Sequence, residues 1–261
     1  MAVTDQLSAV ASTAIQEGRY TLNRVWRSEA TAATPVTPTN LSNIISFEVG
    51  EPSFNENEYF MQGAGDDRLT LRRTYKWPIT IAIYKGKTGT VLETLLGLTW
   101  STAGTAGIPL KDNTTLPSVH WEAICRDADN STHLHSIVVQ DLILNLPGFP
   151  NPMDYTDNTI SGYTYYPPIL LCSGAEMVYD IHSGDGSTTD FAASSTPISL
   201  VTATNHDDFY IDEAVFVKEK STTASAGTRQ TSGWSYAGGN FTKTSAPTVS
   251  YEIQIFYAKT T

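Results

Sequence analysis

Odd positions from Leu69 to Ile83 are almost uniformly apolar: Leu69, Leu71, Tyr75, Trp77, Ile79, Ile81 and Ile83. Even positions carry Thr70, Arg72, Thr74, Lys76, Thr80 and Tyr84. Side chains of a strand alternate between faces, so one face of this segment is buried and the other meets solvent or a partner. Roughly 15 residues at about 3.4 Å each extend near 50 Å, against about 5–6 residues for an ordinary strand. A strand that long rarely fits inside a compact domain. It implies a hairpin arm, or a wall shared with neighbouring subunits, and so assembly rather than catalysis.

The 261 residues suffice for one large all-β domain or two ordinary ones. Charged residues are only 16% of the chain, while Thr, Ser, Gly, Asn and Tyr are plentiful, the profile of strand-rich structural proteins with many turns. Apolar residues, at 40%, supply a core. The net charge of −11 argues against gripping nucleic acid by its phosphates, which takes clustered Lys and Arg. It permits nucleic acid as something to be repelled. Residues 1–175 hold 11 basic against 17 acidic residues, net −6, and residues 176–261 hold 5 against 10, net −5. Neither half has a basic stripe. The start, Met1-Ala2-Val3-Thr4-Asp5, has neither the basic nor the apolar region of a signal peptide. No run approaches the roughly 18 apolar residues of a membrane span.

Leu7, Val10, Ala11, Ala14 and Ile15, closed by Gly18, suggest a short helix or an N-terminal arm over 1–18. A first strand is predicted over 19–27, an extended loop over 30–40, and a strand over 44–50. Residues 51–68 read as a long acidic hairpin loop, with Glu51, Glu56, Glu58, Asp66 and Asp67 around Phe54, Tyr59 and Phe60. Thr90 with Glu93 forms a capping box, and Val91, Leu92, Leu95 and Leu96 give an apolar stripe, predicting one short helix over 91–96. Residues 101–118 read as a loop. Strands resume at Val119–Cys125 and Leu134–Leu146, the second apolar on both faces around Val138–Leu144 and so buried on both sides. Prolines then punctuate a tyrosine-rich stretch. From about residue 175, short strands at Met177–Ile181, Phe209–Val217 and Tyr251–Tyr257 with regular turn signals predict a small β-sandwich. The fold class expected is all-β with one short helix, divided into 1–175 and 176–261.

Few motifs carry chemistry. Asp127-Ala-Asp129-Asn130-Ser131 begins like a calcium loop, but Thr132 stands where Gly is needed and Val138 where Glu is needed. His133 and His135 share a strand face, with His120 and Cys125 on a neighbouring strand, yet spacing fixes no third metal ligand. Gly63-Ala-Gly65 precedes Asp66-Asp67, the wrong charge for cradling a phosphate. No nucleophile elbow or triad order appears. Gly184-Asp185-Gly186 suits a tight hairpin with positive φ. Tyr165-Tyr166 and Trp234 with Tyr236 are core or rim, or else a carbohydrate platform. Cys125 and Cys172 are either two thiols or a disulfide. No catalytic residue, cofactor or metal is expected.

The order of elements has a resemblance. A strand near 44–50, an acidic hairpin loop, a very long strand 68–84, a short helix 90–97 and two further strands resemble the tail tube (major tail) protein of long-tailed bacteriophages. The turn motifs Ser183-Gly184-Asp185-Gly186-Ser187-Thr188-Thr189-Asp190-Phe191, Thr196-Pro197, Gly238-Gly239-Asn240-Phe241-Thr242 and Ala246-Pro247 resemble an immunoglobulin-like β-sandwich common in phage tail and fibre proteins. The insert 198–235 departs from that sandwich.

The resemblance implies a β-barrel or sandwich ring domain over 1–175, with arm 1–18 and stacking loop 51–68, and a decorating sandwich over 176–261. It implies a virion structural protein, assembled in the host cytoplasm, whose rings, usually hexameric, stack into a conduit for DNA ejection. The partners implied are other copies of the chain, the tape measure, tail terminator and distal tail proteins, with DNA passing unbound and no membrane. Glu51, Glu56, Glu58, Asp66, Asp67, Arg72 and Lys76 become candidate inter-ring or lumen contacts. A carboxylate-bearing lumen repels phosphates over about 8 Å at physiological salt. The alternative readings are a tail- or capsid-associated adhesion protein binding host glycans, and a polysaccharide hydrolase with paired carboxylates.

Overall fold

The computed structural model describes residues 19–28, 30–41, 44–60, 68–83, 95, 118–127, 132–145, 158–200, 211–221 and 227–261, with 19, 21, 54–60, 68–75 and 158 described by backbone alone. Nine strands form the first sheet: β1 (Arg19–Arg27), β2 (Thr39–Leu41), β3 (Ile44–Val49), β4 (Ser53–Phe60), β5 (Arg68–Ile83), β6 (Val119–Arg126), β7 (His133–Leu144), β8 (Asn158–Thr164) and β9 (Ile169–Cys172). They run in the order β2-β1-β6-β7-β8-β5-β3, with β4 beside β5 and β9 beside β7. Every pairing is antiparallel.

The expected alternation holds over Pro78–Ile83 of the long strand. Ile79, Ile81 and Ile83 are buried while Pro78 and Thr80 are exposed. The sheet curls around these isoleucines, so that Val25, Leu41, Phe47, Trp121, Leu142 and Ile160 share one core. Phe47 and Trp121 stack there at 5.5 Å between centroids. Asn23, buried in this core, accepts the Trp121 indole N–H at 2.9 Å, which removes the cost of an unpaired amide oxygen. A closed barrel does not form among the described residues. The sheet ends at β2 and β3, and β2, three residues long, pairs only with β1. Leu95 is helical and buried in the same core; the rest of the expected helix 91–96 lies outside the described residues, as do the arm 1–18 and loop 101–117.

Some expectations change. Within the expected acidic loop 51–68, Ser53–Phe60 is strand, because β4 takes up the backbone hydrogen bonds that the first half of β5 would otherwise leave open, while 61–67 lies outside the described residues. Strands β8 and β9 occupy the tyrosine-rich stretch read as proline-punctuated. Gly162 of β8 lies against β7, and a Cβ there would sit 2.7 Å from the Ile143 carbonyl oxygen and 3.1 Å from Leu142 Cδ1. Gly162→Ala is therefore expected to cost about 1–3 kcal/mol by overpacking, read as a lower urea midpoint with unchanged slope.

Two smaller sheets follow. One holds β10 (Ala175–Ser183), β16 (Glu252–Thr260), β12 (Phe216–Lys220) and β13 (Thr228–Arg229) in that order, and the other β11 (Asp190–Ala192), β15 (Asn240–Lys243) and β14 (Trp234–Ala237). The supposed insert 198–235 thus contributes β12, β13 and the start of β14. Phe191, Trp234, Phe241, Ile253, Ile255 and Tyr257 fill the space between these sheets. These two antiparallel sheets share a core, but they are not free-standing. The four-stranded sheet lays Tyr179, Ile181, Phe216 and Phe256 on Trp26, Val138 and Leu171 of the first sheet. The result is three layers with a middle sheet covered on both faces, and every residue of β16 from Ile253 to Ala258 is buried. The Gly184-Asp185-Gly186 turn does not close a hairpin, since β10 and β11 belong to different sheets; it carries the chain between layers. Gly186 does have the positive φ anticipated, 79°.

Candidate functional site

Strand β5 changes partners along its length. Trp77–Ile83 pairs with β8, and its far half also pairs with β3, whereas Arg68–Lys76 pairs only with β4. The β4–β5 ribbon therefore leaves the sheet as an arm about 25–30 Å long, by the rise of a strand. Both its edges are unpaired among the described residues, and such edges are templates for another chain. The register sets Glu56 opposite Arg72, Glu58 opposite Thr70, and Ser53 opposite Lys76. Glu51 is exposed at the arm's root. Asp66 and Asp67 lie outside the described residues.

The outer face of the first sheet is covered over one half and bare over the other. Over β1, β7 and β9 it carries Trp26, Val138 and Leu171 beneath the middle layer. Over β3, β5 and β8 it presents exposed Glu48, Pro78, Thr80, Thr159 and Ser161. Glu48, Thr80 and Ser161 stand in one row across three strands. Where this face meets the arm, Lys76 Nζ lies 4.6 Å from the Tyr163 ring centroid and 5.7 Å from that of Tyr165. Beside these short polar groups, Ile45 of β3 and Tyr165, just past β8, are also exposed.

Between the first sheet and the middle layer lie two charge clusters that sequence reasoning missed. One centres on Asp141. The register of β6 and β7 slips between Val119–Leu142 and Trp121–Val139, and Asp141 takes φ 48° in this bulge. The bulge turns Asp141 towards the middle layer while Val139 and Leu142 stay in the first core. There Lys218 Nζ donates to Asp141 Oδ1, and Arg229 Nη2 donates to Oδ2 at 2.7 Å. Lys218 and Arg229 are cross-strand neighbours. The Arg229 guanidinium also lies 3.2 Å from the Tyr166 ring centroid. Burial opposes ionisation of Asp141, but His120, Lys218 and Arg229 outweigh it and hold the carboxyl well below its usual range. His120, whose Nδ1 accepts the Asp141 N–H at 3.2 Å, is pushed down to about 3, chiefly by burial among Tyr179, Phe216 and Phe256.

The second cluster joins Arg24 and Glu122 of the first sheet to Glu176 and Lys259 of the middle layer. Arg24 Nη1 lies 2.5 Å from Glu176 and 3.7 Å from Glu122, and Lys259 Nζ lies 2.9 Å from Glu176. Glu122 accepts the Met177 N–H at 3.2 Å. Burial pushes its carboxyl up to about 7, against the pull of Arg24 and of that hydrogen bond.

The other candidates do not converge. Asp127 accepts the Thr132 N–H at 3.1 Å and closes a loop whose centre, 128–131, lies outside the described residues. His133 Nε2 bonds Ser136, His135 Nε2 bonds Tyr20, and His120 faces the opposite side of the sheet. Cys125 and Cys172 flank His135 on strands either side of β7, two strand spacings or about 9.6 Å apart, too far for a disulfide; both are free thiols. Asp185 accepts two backbone N–H groups and the Thr188 hydroxyl, which stabilises its turn. Trp234 is buried, and Tyr166 lies under Arg229, so neither aromatic pair forms a platform. Among the described residues, no group of three or more His, Cys, Asp or Glu could hold a metal ion.

No family model matches the sequence, and no curated protein matches it. Some solved structures show weak similarity, among them two of injection-system assemblies. A chain of the anti-feeding prophage baseplate superposes with a TM-score of 0.31 at 8% identity, covering 58% of this chain and 91% of its own. A chain of an extracellular contractile injection system, the PVC sheath–tube complex in the extended state, gives 0.31 at 11% identity, covering 63% and 97%.

Proposed function

We propose that this chain is a structural subunit of a phage-type tail that polymerises into stacked rings and forms the tail tube, a non-catalytic conduit for DNA. The observation that carries this reading is β5, half inside a sheet and half in an arm with two open edges. An isolated two-stranded ribbon is marginal in water, so an arm of this length gains stability when a neighbouring copy pairs with it. The bare face of β3, β5 and β8 supports the conduit. Thr80, Thr159, Ser161 and Glu48 offer short polar groups and negative charge, and Lys76 is drawn onto two tyrosines at the margin. A passing polyanion would find little to bind. In this reading Glu51, Glu56, Glu58, Asp66, Asp67 and Arg72 belong to the stacking arm. The first sheet makes the ring and the C-terminal layers lie outside it; the division near residue 175 separates roles. Tape measure, terminator and distal tail proteins are the partners such a tube would meet in a virion.

The test is negative-stain electron microscopy of the purified chain over a concentration series, beside a variant in which residues 57–71 are replaced by Asn-Gly. The replacement joins Glu56 to its cross-strand neighbour Arg72 and preserves the register of the arm's base. The full chain is expected to form rings or hollow tubes. The variant is expected to keep the full chain's circular dichroism and to remain monomeric. Discrete particles without a central hole from the full chain, or tubes of normal length from the variant, would sink the proposal.

A further inference from the structure

We infer that Lys218 and Asp141 are a site of covalent cross-linking, in which the lysine amine and the aspartate carboxyl condense to an isopeptide bond that joins the middle layer to the first sheet. The geometry sets up this reaction. The two groups are in direct hydrogen-bond contact across a sheet–sheet interface, and Lys218 is 4% exposed, beneath the Phe216 ring at 4.7 Å from its centroid. The Asp141 bulge aims its carboxylate at the amine, and the lysine's cross-strand neighbour Arg229 holds the second carboxylate oxygen.

Arg229 serves the step twice. As a second cation on the same carboxylate it joins burial in disfavouring the charged form of Lys218, and the two outweigh the pull of Asp141 and help free the amine as a nucleophile. As a donor to Oδ2 it draws electrons from Cγ and can stabilise the oxyanion of a tetrahedral intermediate. The atoms balance without any co-reactant. Nζ transfers a proton to Oδ1 and attacks Cγ; the Cγ–Oδ1 bond breaks, and Oδ1 leaves as water with a second proton from Nζ. One N–H remains on the amide. His120, Tyr179, Phe216 and Phe256 pack around the site and limit the access of the water that would reverse the reaction.

The experiment is intact mass spectrometry of the full chain under denaturing conditions, followed by tryptic mapping, with Lys218→Arg as the control. The wild-type chain is expected to be lighter than its sequence by one water. Its digest is expected to contain a branched peptide joining the Asp141 and Lys218 segments, with no cleavage after Lys218. Lys218→Arg keeps a cation beside Asp141 but has no such amine, and it is expected at full mass. A wild-type chain at full sequence mass after prolonged incubation in the folded state would overturn the inference. So would a lost water mapped to any other pair of residues. Because the chain is denatured for measurement, poor folding of the variant leaves the wild-type result decisive.

Discussion

Removing residues 176–261 is expected to leave an insoluble or unfolded chain, not a trimmed ring subunit. The sequence alone suggests the opposite, a decoration that can be taken away. The difference lies in what the middle layer covers. Trp26, Val138 and Leu171 on the first sheet are buried only because Tyr179, Phe216 and Phe256 lie on them. Exposing each such side chain costs about 1.5–3 kcal/mol. Arg24 would lose Glu176, and Asp141 would lose both cations. The Ser28 carbonyl would lose the Gln254 amide, which donates to it at 3.2 Å. The sum rivals the roughly 5–15 kcal/mol that holds an ordinary domain together. Soluble expression and circular dichroism of the 1–175 fragment test the point. A soluble fragment with strand-rich dichroism and cooperative unfolding would show that the layers are separable after all.

How far the sequence revealed this fold follows from how each strand is buried. Strands with one covered face announce themselves, as β5 does through Ile79, Ile81 and Ile83. Strand β7 was legible as doubly buried because Val138 and Val139 are both apolar, and the structure places them in different cores. Strand β8 was not legible. Its inward positions are Ile160, Gly162 and Thr164, and only the first looks like core; the second is glycine because β7 approaches too closely for a side chain. The charge clusters were hidden for a different reason. His120 and Glu122 alternate with Val119, Trp121 and Ala123, which reads as a polar face towards water. One signal was available, since Ile124 continues that polar face as an apolar residue and is itself buried. Asp141 was still less accessible. Strict alternation would put it on the side of Val139, and only the bulge turns it away. No local pattern in sequence marks such a slip. The arm was legible in its length but not in its pairing, because β4 has neither β-branched residues nor a clean alternation to announce it.

Glu122→Gln is expected to make the protein more stable at pH 8 and to leave it unchanged near pH 4. Glu122 is fully buried, and its carboxyl is raised from 4.5 in a free side chain to about 7 in the fold, with burial as the main cause. A group whose proton is held more tightly in the folded state contributes stability that is complete below the unfolded value. That contribution is lost as pH rises through the folded one. The window is therefore about pH 4.5 to 7, and the loss at its upper end is at most about 3 kcal/mol at 1.36 kcal/mol per pH unit. A glutamine keeps the oxygen that accepts the Met177 N–H and cannot ionise. Arg24 keeps Glu176, its nearer partner, so the exchange strands no cation. Urea midpoints measured from pH 4 to pH 8 should fall more steeply for wild type than for the variant, and the two curves should meet at the acid end. Asp141 contributes in the opposite sense, since its lowered carboxyl gives stability that is lost on acidification; being common to both proteins, it cancels from the difference. If the variant were instead the weaker protein at pH 8, the ionised Glu122–Arg24 contact would outweigh the cost of burying the charge. Neutral pH would then favour the closed seam between the layers.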